Sequence, residues 1–174
     1  MVLYVAIPLV NQGVLSMKRA VVFGIGSFGQ LVDVYLRMDG GFEVSAFAVS
    51  DDHIHQYPPT FSSRPVVGLG QLRERFDPAE TMVFVAVGYR GMNSVRRNVC
   101  HAVKSAGFFL LSYVHSSVTC WHGSTIGENV FIFEDNTIQP YTSIGDGVVM
   151  WSGNHLGHHS VVEKWIFIAS HSVI

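Results

Sequence analysis

Apolar residues recur along this chain at several spacings, and a change of spacing divides it in two. Ala20–Phe23 is a short unbroken apolar run of strand type. Leu31, Val34, Tyr35 and Met38 then recur at helical spacing, and Gly40-Gly41 ends that helix. Phe42–Val49 reads as a second strand that runs into Asp51-Asp52. Gln56–Arg64, with Pro58-Pro59, reads as loop, Val66–Gly68 as a short extended piece and Gly70–Phe76 as a short helix. Thr81–Val87 is almost wholly apolar, as in a parallel strand covered on both faces. Asn93 is expected to cap a helix running to about Ala106, and Phe108–Tyr113 returns as a strand. The alternation predicts an α/β layer with a parallel sheet of about four strands.

From Ile126 the period becomes six. Ile126, Ile132, Ile138, Ile144, Met150, Leu156, Val162, Ile168 and Ile174 are nine successive aliphatic positions. Four residues further on, the column Val130, Asn136, Thr142, Val148, Asn154, Ser160, Ile166 and Ser172 is mostly small or β-branched, with two asparagines. Gly127, Gly145 and Gly157 directly follow members of the aliphatic column. A hexad is one side of a triangular prism: the aliphatic points inward, the small residue fits near the corner, and three hexads make a coil of about 18 residues. Coils stack by parallel strand pairing into a solenoid, and neither a helix nor a sandwich imposes that period. The expected organisation is an extension over 1–16, an α/β domain over 17–112 and a β-helix over 113–174.

Composition narrows the function classes. Hydrophobic residues make up 48% and charged residues 14% of the 174, so the chain buries a core, with some apolar surface expected between subunits. A net charge of −2 gives no reason to expect nucleic acid or an anionic membrane as partner. Cys100 and Cys120 are read as reduced thiols of a cytoplasmic protein. Residues 1–16 contain no Lys or Arg, so they lack the basic region of a secretory signal, and their apolar run falls short of the ~20 residues of a membrane span. Met17 opens the first strand and is the expected natural start.

Gly24-Ile25-Gly26-Ser27-Phe28-Gly29 lies between a strand and a helix, where glycines give a tight turn and the helix N–H groups face a phosphate. Asp51 and Asp52 come 22 and 23 residues after Gly29, the spacing of a ribose-binding acid. The plain alternative is a tight turn and a capped loop. A dehydrogenase is the functional rival, but the stretch before the hexads has hardly room for two βαβαβ halves.

The hexads, the preceding GIGSFG domain and their order resemble the bacterial hexapeptide-repeat sugar acyltransferases, which include sialic-acid O-acetyltransferases and N-acetyltransferases of amino-sugar nucleotides. The resemblance covers 17–174. VAVGYRGMNSVRR (85–97), LSYVHSSV (111–118) and MWSGNHLGHHSVVE (150–163) look most like the branch acting on 4-amino-4,6-dideoxy sugars such as perosamine. It implies a Rossmann-like α/β domain followed by a left-handed parallel β-helix, acetyl-CoA as donor, a nucleotide-linked amino sugar as acceptor, and a homotrimer with active sites between subunits. Gly24, Gly26, Ser27 and Gly29 would then approach the phosphates, Asp51 and Asp52 the base or ribose, with Tyr89 and Asn93 as further contacts. The hexad pattern is still running at Ile174, whereas the family continues for further coils, so the β-helix is expected to be incomplete.

Acetyl transfer to an amine needs a base, and histidine titrates near working pH. The resemblance places His158 at the base position, with His155 as second choice. His159 stands where the family carries an acid, so the partner of His158 is left among Glu163, Glu134 and a backbone carbonyl. A solvent-facing turn is the plain reading of His158-His159. His155, His158, His159 and His171 have no thiolate or carboxylate among them, so no metal is expected. An O-acetyltransferase and a nucleotide-binding remnant without catalysis are the alternatives in function.

Overall fold

The computed structural model describes residues 19–88, 91 and 93–174. Among them, 19–111 and 112–174 form two compact units.

The first unit contains β1 (Arg19–Phe23), α1 (Ser27–Met38), β2 (Glu43–Val49), a 3-10 turn (Asp51–Gln56), β3 (Thr60–Phe61), β4 (Arg64–Gly68), α2 (Leu72–Arg75), β5 (Thr81–Val85), α3 (Ser94–Ser105) and β6 (Phe109–Leu110). The sheet order is β3-β4-β2-β1-β5-β6. All pairings are parallel except the edge pair β3–β4. The chain builds outward from β1 through β2 to β4, then crosses back to β5 on the other side of β1. The carboxyl ends of β1 and β5 therefore flank a switch in strand order, where open α/β sheets bind ligands.

Several expectations need correction. The segment read as loop holds an antiparallel hairpin whose turn residues Ser62 and Ser63 both have positive φ, 47° and 63°. That is the backbone of a two-residue hairpin turn, without the Asn-Gly chemistry that usually announces one. The run 108–113 is divided: Phe109–Leu110 closes the first sheet, while Tyr113–Val114 belongs to the second unit. Helix α1 buries Gly29, Val32, Asp33 and Leu36, whereas Val34 and Met38 are 46% and 77% exposed. The inward stripe contains a carboxylate, which masks it in a purely apolar count. Buried Asp33 accepts from Arg37 Nε and Nη2, both at 3.1 Å, and from Arg64 Nη1 at 3.3 Å, tying α1 to β4. Asn93 precedes α3 with φ 63° and makes no side-chain capping bond.

The second unit is a parallel β-helix of two-residue strands. Its three sides are β7 (Tyr113–Val114), β10 (Phe131–Ile132), β13 (Val149–Met150) and β16 (Phe167–Ile168); β8 (Thr119–Cys120), β11 (Thr137–Ile138) and β14 (His155–Leu156); and β9 (Thr125–Ile126), β12 (Ser143–Ile144) and β15 (Val161–Val162). Partners in each parallel pair are 18 residues apart, as Phe131 with Val149 or Thr137 with His155. The aliphatic column from Ile126 to Ile168 fills the interior. Val114 and Cys120 pack against it, so the solenoid starts a turn before the aliphatic run shows it.

Corners repeat with equal regularity. Gly123, Asn129, Asp135, Tyr141, Gly147, Gly153, His159, Trp165 and His171 all have φ between 54° and 81°. Every sixth residue is left-handed, which bends the chain from one side to the next. In each corner column a glycine lies against the ring one coil later. A Cβ on Gly147 would lie 2.1 Å from the ring of Trp165, and one on Gly153 2.7 Å from the ring of His171. Beside one corner runs an amide ladder: Asn136 Oδ1 accepts the Asn154 N–H at 3.0 Å, and Asn154 Oδ1 accepts the Ser172 N–H at 2.7 Å. Asn136 Nδ2 donates to Phe133 O, and Asn154 Nδ2 to Trp151 O. The asparagines satisfy buried backbone groups on two successive coils.

Candidate active site

His158 lies in the turn between β14 and β15, exposed, one residue before the left-handed corner. Several contacts hold this turn. The His158 N–H donates to Gln139 Oε1 at 2.9 Å, and the His159 N–H donates to Pro140 O at 3.1 Å. The Nδ1 atoms of His158 and His159 are 3.0 Å apart, with the rings nearly perpendicular at 88°. The His159 ring packs on Tyr141, centroids 5.0 Å apart. Tyr141 in turn covers Gly123, where a Cβ would come within 2.7 Å of the tyrosine ring. The ring partner of His158 is thus its neighbour, in place of Glu163, Glu134 or a backbone carbonyl.

His155 sits elsewhere. It is in strand β14 rather than at a corner, half-buried, paired with Thr137. Asn154 is buried in the amide ladder. Gln139 and Tyr141 escaped the sequence reading. Their signal is the 18-residue coil: Tyr141 lies one coil before His159, and Gln139 one coil before Gly157, next to His158. Among the described residues, no group of three His, Cys, Asp or Glu side chains is placed to hold a metal ion.

In the first unit the glycine turn has the geometry that its motif requires. Gly24 has φ 115°, and a Cβ there would meet Ala86 O at 2.7 Å. A Cβ on Gly29 would meet Gly24 O at 2.1 Å, so this glycine lets α1 pack on the turn. Around Gly26 a Cβ would meet nothing within 4 Å, which leaves that side of the turn open. Gly26 is the N-cap of α1, with no side-chain cap and no acidic residue in the first turn, and Ser27 follows it exposed. The helix's own cap and first turn therefore leave its positive end without a neutralising side chain.

Asp51 and Asp52 follow β2 and are exposed. The Gly70 N–H donates to Asp51 Oδ1 and Oδ2 at 3.1 and 3.0 Å, so this carboxylate braces the turn after β4. Asn93 is buried ahead of α3, whose inward face also carries Arg96 and Cys100. Burial pushes the Arg96 guanidinium below its ordinary value, while the Cys100 thiol opposes that shift. Tyr89 lies outside the described residues.

The fold is shared with solved acetyltransferases. No protein-family profile matches the sequence, and no curated protein matches it. The acetyltransferase domain of PglB from Neisseria gonorrhoeae is similar at a TM-score of 0.70 and 21% identity, over 88% of this chain and 71% of that one. The same domain has been solved with acetyl coenzyme A, at TM-score 0.69 and 21% identity over 86% of this chain and 69% of that one. A variant of perosamine N-acetyltransferase from Caulobacter crescentus, in complex with CoA and GDP-perosamine, is similar at a TM-score of 0.63 and 26% identity, over 85% and 72% of the two chains. Each of these neighbours is a transferase of acetyl groups by its description. No helix among the described residues is long and apolar enough to cross a membrane.

Proposed function

We propose that this chain is an acetyl-CoA-dependent N-acetyltransferase acting on the amino group of a nucleotide-linked 4-amino-4,6-dideoxy sugar, in surface polysaccharide biosynthesis. The observation that carries the reading is a hexad β-helix bearing His158 in the same chain as an α/β domain with an open glycine turn. The likeness at 26% identity to a transferase bound to CoA and GDP-perosamine supports the acceptor class.

In this reading, Gly24, Gly26, Ser27 and Gly29 hold the pyrophosphate through backbone N–H groups and the positive end of α1. Asp52, beside the braced Asp51, faces the ribose or base, with Tyr89 and Asn93 as further contacts. His158 is the base and His155 the second candidate. The amine nitrogen attacks the thioester carbonyl carbon, its proton passes to His158, the carbon–sulfur bond breaks and CoA leaves as the thiolate. General-base help of this kind contributes roughly 10²–10⁴-fold. A left-handed β-helix, homotrimeric assembly and a cytoplasmic setting complete the proposal.

A thiol-release assay with acetyl-CoA and a panel of nucleotide-linked 4-amino sugars tests it. Turnover lost in His158→Ala establishes reaction and base together. Folded chain that binds the nucleotide sugar but releases no thiol with any amine acceptor overturns it.

A further inference from the structure

We infer that His159 is the positioning residue for His158, holding it as the tautomer protonated on Nδ1 so that Nε2 keeps its lone pair; the catalytic side of this inference rests on the function proposed above. Two imidazole nitrogens 3.0 Å apart share one proton between them. If His159 donates, His158 carries its proton on Nε2 and has no basic nitrogen facing outward. If His158 donates from Nδ1, its Nε2 is the acceptor that a base needs. The surroundings of His159 hold its ring beside that of His158, and the basic Nε2 that the proposed reaction needs selects His158 as the donor. Its backbone is a left-handed corner, φ 61°, its N–H is bound to Pro140 O, and its ring rests on Tyr141. The backbone of His158 is pinned separately by Gln139. The contact therefore joins two independently anchored residues.

A neutral imidazole thus does the orienting work that a carboxylate does in many base dyads. The proton taken from the attacking amine resides on His158 Nε2 while Nδ1–H remains donated to His159. It passes to the departing CoA thiolate or to water, which returns His158 to the same tautomer. No redox partner enters the balance.

Two readouts test this, one of them independent of turnover. Imidazole ¹⁵N shifts in the intact chain report the tautomer of His158, compared between the parent and His159→Phe. The phenyl ring keeps a surface against Tyr141 but accepts no hydrogen bond. Nδ1 protonation of His158 in the parent, lost in His159→Phe, is the expected result. An Nε2–H tautomer in the parent, or no change in the variant, overturns the inference. In the acetyl-transfer assay, His159→Phe should lower kcat by about tenfold or more with KM for acetyl-CoA little changed, and His159→Asn, which restores an acceptor, should recover much of the loss. Equal kcat in parent and His159→Phe also overturns it. If the parent shows the Nδ1–H tautomer but transfers no acetyl group, the positioning contact stands and the proposed function falls.

Discussion

At the scale of single residues, the β-helix depends on polar side chains that serve the backbone. Asn154 is 2% exposed and bonds both Trp151 O and the Ser172 N–H. Asn154→Ala removes both contacts and should destabilise the chain by about 2–3 kcal/mol in a denaturant titration. Ser172→Ala loses one bond at an accessible site and should cost under about 1 kcal/mol. Cys120 tests the interior in another way. Burial raises its thiol above the ordinary range, and a hydrogen bond to Ser124 only partly offsets that. A group held protonated in the fold adds stability below its unfolded pKa, ~8.5 for cysteine, and loses it as pH climbs through the folded value. Stability should therefore fall in alkali, and Cys120→Ala should flatten that fall, as read by melting at pH 7 and above 9. The asparagine ladder was partly legible, since Asn136 and Asn154 stand out in a column of small residues. The partner of His158 was not: it depends on a corner conformation that places two adjacent rings side by side.

Among the elements, α1 shows why a pattern can name the helix yet mistake its face. Val34 and Met38 of the apolar stripe are exposed, while the buried stripe includes Asp33. A carboxylate reads as outward until its cations are placed, and Arg64 is far away in sequence. Asp33→Ala leaves Arg37 and Arg64 beside an emptied acceptor site and should cost about 3 kcal/mol, whereas Val34→Ser on the exposed side should stay within about 0.5 kcal/mol. The outcome in chemical denaturation decides which stripe carries the helix. The two-residue strands fared better as expectations because their inward residues recur without exception from Ile126. Val114 and Cys120 lie inside the expected span of 113–174 although a cysteine precedes the unbroken aliphatic run.

For the whole β-helix, two periods are superimposed, and they make different demands. The interior needs an aliphatic residue every six positions and is indifferent to which side of the prism it occupies. The asparagine ladder and the corner columns repeat every 18 residues, because each belongs to one side or one corner only. Insertions separate the two demands. Repeating residues 143–160 once, directly after Ser160, adds a full coil and keeps every column aligned. The longer chain should melt within a few degrees of the parent, since repeat arrays gain and lose coils through nearest-neighbour terms. Inserting only residues 155–160 again at the same point keeps the aliphatic period but turns every later residue onto the next side. Ser172 then no longer stacks above Asn154, nor Trp165 above Gly147, so glycine sites meant to sit beneath rings receive other neighbours. That chain should melt well below the parent, by about 5 °C or more, if about 2 kcal/mol of ladder and corner contacts is lost. Equal melting of the two insertions would mean that the six-residue interior alone sets the stability, and that the side-specific columns are passengers on it.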